Sequence, residues 1–552
     1  MKKFLSLALS LVMVLSVCAF GVAEELTTIK ILCKNDFDSE IKSEDWEKYD
    51  VSKVFIAKLE ELGIRLELEC IDNASFPNVV KTRMAAGVDL PDIVSVAFEG
   101  GISASEVIQW GQNGLIIPAS ELMDKYDEDD SIRTYWNEKC PGTLAANTAA
   151  DGNLYWFAYL YRATSYSMET GEELPPYGWR TMSLRQDWVE KVGETMKLVY
   201  TPDELFDLLV KFQENDVNDN GLKDEVVCLK IDQFGQGGMA DGFGLSTSTL
   251  CYVDQNGKVT SNFYNPHLVD YLAFMNKLYV NGLYDTAAFS GDLFSSELIT
   301  QNKAAVTYNY SAWSDYETQM GVEGAQYTPF ILDMDGDLST GWKAHGDVAG
   351  ITFNQHFVTS ACKNPEAVTK LFDFIYTDEY AYLCTAGIEG QTYTKDDKGV
   401  VTRIDHGPEP TDKAEKEAFR IKTSDLFGTS AGLYVLPAIN VVPSYTWEVN
   451  PNAEEYQQVK SRVIVEFNKN IDTCWFEGGT KYAMATDEQR EEIEEFSEQL
   501  STYASELLTN IILGERSIDS LEEGVKELEK LGLTRYMEIQ QERHNRLLEL
   551  SK

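Results

Sequence analysis

The eleven residues Asn215 to Glu225, NDVNDNGLKDE, carry three Asp, three Asn, one Glu and one Gly. Counted from Asp216, side-chain oxygens fall at positions 1, 3, 5 and 9, which are Asp216, Asn218, Asn220 and Asp224. Gly221 falls at position 6, and Leu222 at position 7 offers its backbone carbonyl. That is the EF-hand schedule through its ninth position. The glycine permits the sharp bend that turns successive oxygens inward. Position 12 is Val227, so the usual bidentate Glu is missing, and Glu225 at position 10 is the carboxylate that replaces it. Asp219 at position 4 is expected to point to solvent. Three carboxylates, two amides and a carbonyl suit Ca²⁺ better than Mg²⁺, which dehydrates reluctantly. The competing reading is a plain acidic turn. The acidic stretch DMDGDLS (333–339) lacks the schedule and reads as a surface loop. A single such loop leading into a strand is not a paired sensor. Its chemistry is structural: an ion that pins a helix end to the next strand.

Other reactive groups give no catalytic pattern. The five His (267, 345, 356, 406 and 544) form no HExxH, and the chain holds no GxSxG and no GxxxxGK[ST]. A carboxylate dyad cannot be argued from 90 acidic residues. The formal charge of −43 disfavours nucleic-acid binding, which rests on Lys/Arg clusters. Beyond Cys18, eight cysteines (33, 70, 140, 228, 251, 362, 384 and 474) are scattered without metal spacing. Most read as small buried hydrophobes, with Cys33 and Cys70 a candidate pair.

The elements that position these residues alternate. TTIKILCKN (27–35) reads as a strand and VSKVFIAKLEELG (51–63) as a helix ended by Gly63. IRLELEC (64–70), FPNVVKTRMAAG (76–87) and DIVSVAF (92–98) continue as strand, helix and strand. This order predicts a parallel sheet covered by helices, with ligands at the carboxyl ends of its strands. The pattern restarts at NLYWFAYLY (153–161) and EVVCLK (225–230), and CYVDQNGKVTS (251–261) predicts a hairpin turning at Asn256-Gly257. A helix over 265–282 is predicted with Asn265 as N-cap. Thr201 with Glu204, and Thr486 with Gln489, form capping boxes at two helix starts. Leu205, Leu208, Leu209 and Phe212 line one face of the helix that runs into the acidic loop. Near the chain end, Ile493, Phe496, Leu500, Tyr503 and Leu507 recur at helical spacing. At the start, Lys2 and Lys3 precede an apolar stretch Phe4–Val17, which is a signal peptide over 1–23. Cleavage after Ala23 takes the charge to −45; lipidation at Cys18 is the alternative, and either route exports the chain. No other run reaches the ~18 apolar residues of a membrane helix.

At LRQDWVEKVG and TPDELFDLLVKFQENDVNDNGLKDE the chain resembles the extracellular solute-binding proteins of family 1, in the large oligosaccharide-binding subgroup of ABC importers. The likeness continues through AAGVDLPDIVSV, LAFMNKLYVNGLYD, CKNPEAVTKLFDFIYTDEYAYLCTAGIEGQTY and GERSIDSLEEGVKELEKLGLTRYMEI. It implies an α/β, two-lobed periplasmic-binding-protein-like fold (type II), with lobes joined by a multi-crossing hinge and closing on a sugar. One lobe is expected over 26–150 plus 340–395, the other over 151–339 plus 396–552. In alginate-binding members a calcium loop of this pattern holds structure away from the sugar. That role carries over to Asp216, Asn218, Asn220, Leu222, Asp224 and Glu225. The lobe topology selects Trp156, Tyr159, Tyr161, Arg162, Trp313 and Trp447 as candidate sugar contacts, each weighed against packing in a core; Trp188 reads as a core anchor. The implied protein is a monomer outside the cell that delivers an oligosaccharide to membrane permease subunits and does no chemistry. The alternatives are a binder of peptides or other non-sugar solutes on the same fold, and a secreted Ca²⁺-dependent polysaccharide-degrading enzyme.

Overall fold

The computed structural model describes residues 26–552 except 36–42, 97–100, 163, 174–179, 228–238, 247, 249, 285–294, 311–324, 337–342, 346–354, 408–409, 411, 424–435, 438, 447–474 and 478–480. The expected signal peptide, Trp313 and Trp447 lie outside the described residues. Among the described residues no helix is long and apolar enough to cross a membrane.

In chain order the elements that build the framework are β1 (Thr27–Lys34), α1 (Asp50–Glu61), β2 (Ile64–Ile71), α2 (Phe76–Ala86), β3 (Ile93–Val96), β4 (Ile116–Ile117), α3 (Thr143–Asn147) and β5 (Phe157–Ala158). Then come β6 (Arg180–Arg185), β7 (Val199–Tyr200), α4 (Pro202–Asn215), β8 (Val226–Val227), α5 (Leu268–Val280), β9 (Ala304–Tyr310) and β10 (Tyr327–Leu332). The chain continues with β11 (Gln355–Thr359) and α6 (Pro365–Ile375), and ends with α7 (Asp487–Ile512) and α8 (Leu533–Leu550).

Two sheets organise two lobes. The first has the order β2-β1-β3-β11-β4, with β5 also on β11. β1, β2 and β3 are parallel, as the alternation predicts. β11 enters antiparallel between β3 and β4. α2 stops where Gly87 takes the left-handed conformation at φ 63°, which a residue without Cβ adopts freely. The second sheet has the order β8-β9-β6-β10-β7 and is mixed. Each sheet has its own apolar core. The first gathers Ile31, Val94, Phe157, Phe357 and Phe372; the second gathers Leu184, Phe212, Leu272, Val306 and Leu507. The stripe Leu205, Leu208, Leu209 and Phe212 of α4 is buried in the second core.

The packing shifts the expected lobe boundaries. Leu154 to Tyr161, and Val401, Leu436, Ile439 and Val442, sit in the first core rather than the second. The cause is strand pairing: β5 adds to β11, and Leu160–Tyr161 pairs in parallel with Ile439–Asn440. Among the described residues the chain leaves the first core after Tyr161, returns between Leu332 and Phe357, and last packs against it at Met484, before Leu500 joins the second core. α8 adds a further link. Its Leu533 belongs to the second core, while its Leu547 packs with Ala145 and Ala146 of α3 and with Ala483.

Candidate functional site

The acidic loop begins where α4 ends. The α4 N-terminus is fixed by the capping box of Thr201 and Glu204. At its other end Asp216 turns left-handed, φ 45°, and its N–H donates to the Phe212 carbonyl. The Asp216 carboxylate then accepts from the N–H groups of Asn220 (3.0 Å) and Gly221 (2.9 Å). Asn220 Oδ1 accepts from Leu222 N–H at 2.7 Å. These bonds wind the loop into the bend that its residue order predicts. Asp219 points outward to pair with Lys191 Nζ at 2.6 Å.

Inside the loop, the amide nitrogens of Asn218 and Asn220 donate to Asp224 Oδ1 at 3.0 and 2.9 Å. Lys303 Nζ lies 3.2 Å from Asp224 Oδ2. Burial pushes the Asp224 carboxyl up, but these donors outweigh it and hold the pKa below the usual carboxylate range. Glu225 differs. It is fully buried; Oε1 accepts a long bond from Asn218 N–H (3.4 Å), and Oε2 has no side-chain hydrogen-bond partner. Burial raises its pKa. A buried carboxylate oxygen without a donor is costly unless a proton or a cation neutralises it. Among the described residues no three Asp, Glu, His or Cys side chains converge at metal-binding distance. The side-chain oxygens of Asp216, Asn218, Asn220, Asp224 and Glu225 are nevertheless the chemistry that a hard cation takes. The loop is also tied to its surroundings. Gln213 Nε2 donates to the Glu225 and Gly282 carbonyls, and Asn218 Nδ2 to the Asn302 carbonyl.

The expected sugar contacts divide. Trp156 is 1% exposed and belongs to the first core, where its indole N–H donates to the buried Asn147 Oδ1 at 2.7 Å. The next two residues, Phe157 and Ala158, pair with β11, which draws this stretch into the sheet. Tyr159 and Tyr161, with ring centroids 5.8 Å apart, are buried in the same core. Arg162 is exposed; its N–H donates to the Asn440 carbonyl, which anchors its backbone at the edge of the Leu160–Tyr161 strand. Trp188 is the core anchor expected of it: the Arg185 guanidinium stacks 4.1 Å over its ring.

Sequence reasoning missed a buried polar pair in the first sheet. His356 of β11 lies opposite Ser95 of β3 and Phe157 of β5. Neither ring nitrogen of His356 nor the Ser95 hydroxyl has a hydrogen-bond partner. Burial lowers the His356 pKa to about 3, so the ring is neutral. A single His in an apolar strand gives no sequence signal for this.

No family model matches the chain. The fructooligosaccharide ABC transporter substrate-binding protein FusA of Streptococcus pneumoniae is 24% identical over 465 residues, 82% of this chain and 79% of that protein. Lipoprotein LipO of Bacillus subtilis is 25% identical over 236 residues, 41% of this chain and 46% of that protein. Among solved structures, an HMO-binding solute-binding protein from Bifidobacterium longum infantis superposes with TM-score 0.65 at 17% identity, covering 94% of this chain and 99% of that one. A FusA EF-hand mutant from S. pneumoniae with fructo-nystose gives 0.62 at 18%, covering 95% and 100%. The alginate-binding protein AlgQ2 without calcium ion gives 0.61 at 19%, covering 94% and 98%. The structural likenesses span both lobes and establish the fold as that of two-lobed substrate-binding proteins.

Proposed function

We propose that this chain is the extracytoplasmic solute-binding protein of an ABC importer, which captures an oligosaccharide between its lobes and hands it to a membrane permease. The observation that carries the reading is the alignment with a fructooligosaccharide-binding relative over 465 residues, through both cores and the segments that join them. The relatives are binding components of transporters, and a binder, not an enzyme, fits a chain whose sequence carries no hydrolase motif. Its lipoprotein and transporter relatives and its expected leader favour a place outside the cytoplasmic membrane. In this reading the chain works as a monomer.

Capture works through closure. A ligand that touches both lobes binds the closed state better than the open one and shifts the population by that difference alone. Arg162, Trp313 and Trp447 are the ligand contacts of this reading; Trp156, Tyr159 and Tyr161 belong to the first core. Aromatic rings stack on the C–H faces of sugars, and a guanidinium donates to hydroxyls. We assign calcium to the acidic loop, held by Asp216, Asn218, Asn220, Leu222, Asp224 and Glu225. Two structural neighbours, an EF-hand mutant of FusA and the alginate-binding protein AlgQ2 without calcium ion, support this, as does the partnerless oxygen of Glu225. The ion would neutralise the buried carboxylates and tie the end of α4 to β8.

Calorimetric titration with a panel of neutral and acidic oligosaccharides and peptides tests the reading. One-to-one binding of an oligosaccharide that is recovered intact supports it. Binding of peptides alone, or conversion of the sugar, overturns it.

A further inference from the structure

The carboxyl ends of β1 and β2 bring two thiols face to face. Cys33 and Cys70 are register partners on these adjacent parallel strands, and their sulfurs lie 3.6 Å apart. We propose that Cys33 and Cys70 are a redox site, forming a reversible disulfide that clasps β1 to β2 at the carboxyl-end rim of the first sheet. Neighbouring strands run about 4.8 Å apart. Directly opposed residues on them therefore fall inside the ~4.4–6.8 Å Cα separation that a disulfide spans, and side-chain rotation is enough to close the bond.

The two sulfurs are not equivalent. Cys33 is buried in the first core, whereas Cys70 is partly exposed. The contact between them lowers the Cys70 pKa, while the same contact and burial raise that of Cys33. Cys70 is thus the thiol that ionises first and the one an oxidant can reach. The other described cysteines contrast with it. Burial pushes the thiols of Cys140, Cys251, Cys362 and Cys384 up to about 12. Reactivity among the described cysteines is concentrated at one pair.

The reaction is thiol–disulfide exchange with an external disulfide, either a small molecule or an exchange protein. The Cys70 thiolate attacks one sulfur of that disulfide, forming a mixed disulfide and expelling one thiolate. That thiolate takes the Cys33 proton. Cys33 then attacks the Cys70 sulfur and expels the second thiolate, which picks up the proton lost by Cys70. Two protein thiols lose two electrons and two protons, and one external disulfide becomes two thiols. Cys70 is the partly exposed member of the pair, which leaves the product open to reduction by the reverse route. The site is separate from the acidic loop and does not depend on which solute the lobes hold.

The test is peptide mapping of the full chain after treatment with oxidised glutathione and quenching of free thiols by alkylation. The expected result is a peptide joining Cys33 to Cys70, which dithiothreitol removes, with an upward shift in Tm for the oxidised form. Cys33→Ala should trap glutathione on Cys70, and Cys70→Ser should take up no glutathione at Cys33. Recovery of both residues alkylated in the parent, or of a lasting glutathione adduct on its Cys70, overturns the proposal. Linkage of either residue to a different cysteine overturns it as well.

Discussion

At the scale of single residues, chemistry and packing compete for the same side chains, and burial decides. Trp156 is an aromatic next to a lobe crossing, which made it a candidate sugar platform. The structure commits it to the core instead, with its one polar atom satisfied by Asn147. Asn147→Ala would leave the indole N–H buried without an acceptor. The expected cost is about 1–3 kcal/mol in urea unfolding, with sugar affinity unchanged. A loss of affinity without loss of stability would return Trp156 to the ligand site. His356 supplies a second test. Its folded-state pKa is depressed to about 3 by burial, below the ordinary value of 6.5. The contribution of the neutral ring is therefore complete above pH 6.5 and is lost as pH falls toward 3, because the unfolded chain binds the proton first. Between those values the slope is about 1.4 kcal/mol per pH unit. Urea midpoints of the parent should fall more steeply than those of His356→Leu between about pH 6.5 and 5. Equal slopes would mean that the ring is protonated in the folded protein. Neither fact was legible in the sequence. Whether a Trp or a His is covered depends on strands that pair from distant parts of the chain.

Elements were read more reliably than residues wherever the signal was local. The helices and strands of β1 through β3, the stripe of α4 and both capping boxes lie where periodicity and capping chemistry place them. α5 shows the limit of local reading. Asn265 was expected to cap it, but the helix starts at Leu268, and Asn265 Oδ1 instead accepts from the His267 N–H in a preceding turn. β11 shows the larger limit. Five residues give no sign that they will lie antiparallel between β3 and β4, because that placement is set by tertiary packing. Two predictions belong to α4 and its loop. Thr201→Ala removes the acceptor for the Glu204 N–H and should cost about 0.5–2 kcal/mol in thermal or urea unfolding. The proposed calcium site lies at the opposite end of the same helix. At a concentration about 100-fold above its dissociation constant, the ion should stabilise the fold by about 2.7 kcal/mol. A chelator or Asp216→Ala should remove that increment while leaving sugar affinity nearly intact. A Tm indifferent to calcium in the parent would reduce the loop to an acidic turn.

For the whole molecule, the way the chain passes between its cores bears directly on function. Among the described residues three passages join the two cores, and α8 reaches from the second core to α3. Such a hinge restricts the lobes to opening and closing about a common region and opposes free tumbling of one against the other. The family resemblance was legible because it is a linear feature of the sequence; the passages were only partly so, since their ends depend on which core claims residues 154–161. Closure then has a definite energetic requirement. Moving an open population of about 99 to 1 to its reverse takes a ligand whose affinity for the closed state is greater by about 5.5 kcal/mol. An oligosaccharide reaches that figure only by engaging both lobes, which is why contacts on a single wall are insufficient. Saturating oligosaccharide should therefore reduce the radius of gyration in small-angle scattering. Trp313→Ala and Trp447→Ala should each lower affinity by about 1–3 kcal/mol, the range of a buried aromatic anchor. Tryptophan fluorescence titration of the two variants measures this directly. If both bind like the parent, the sugar lies elsewhere between the lobes. If binding occurs without contraction, recognition is confined to one lobe and the closure mechanism fails.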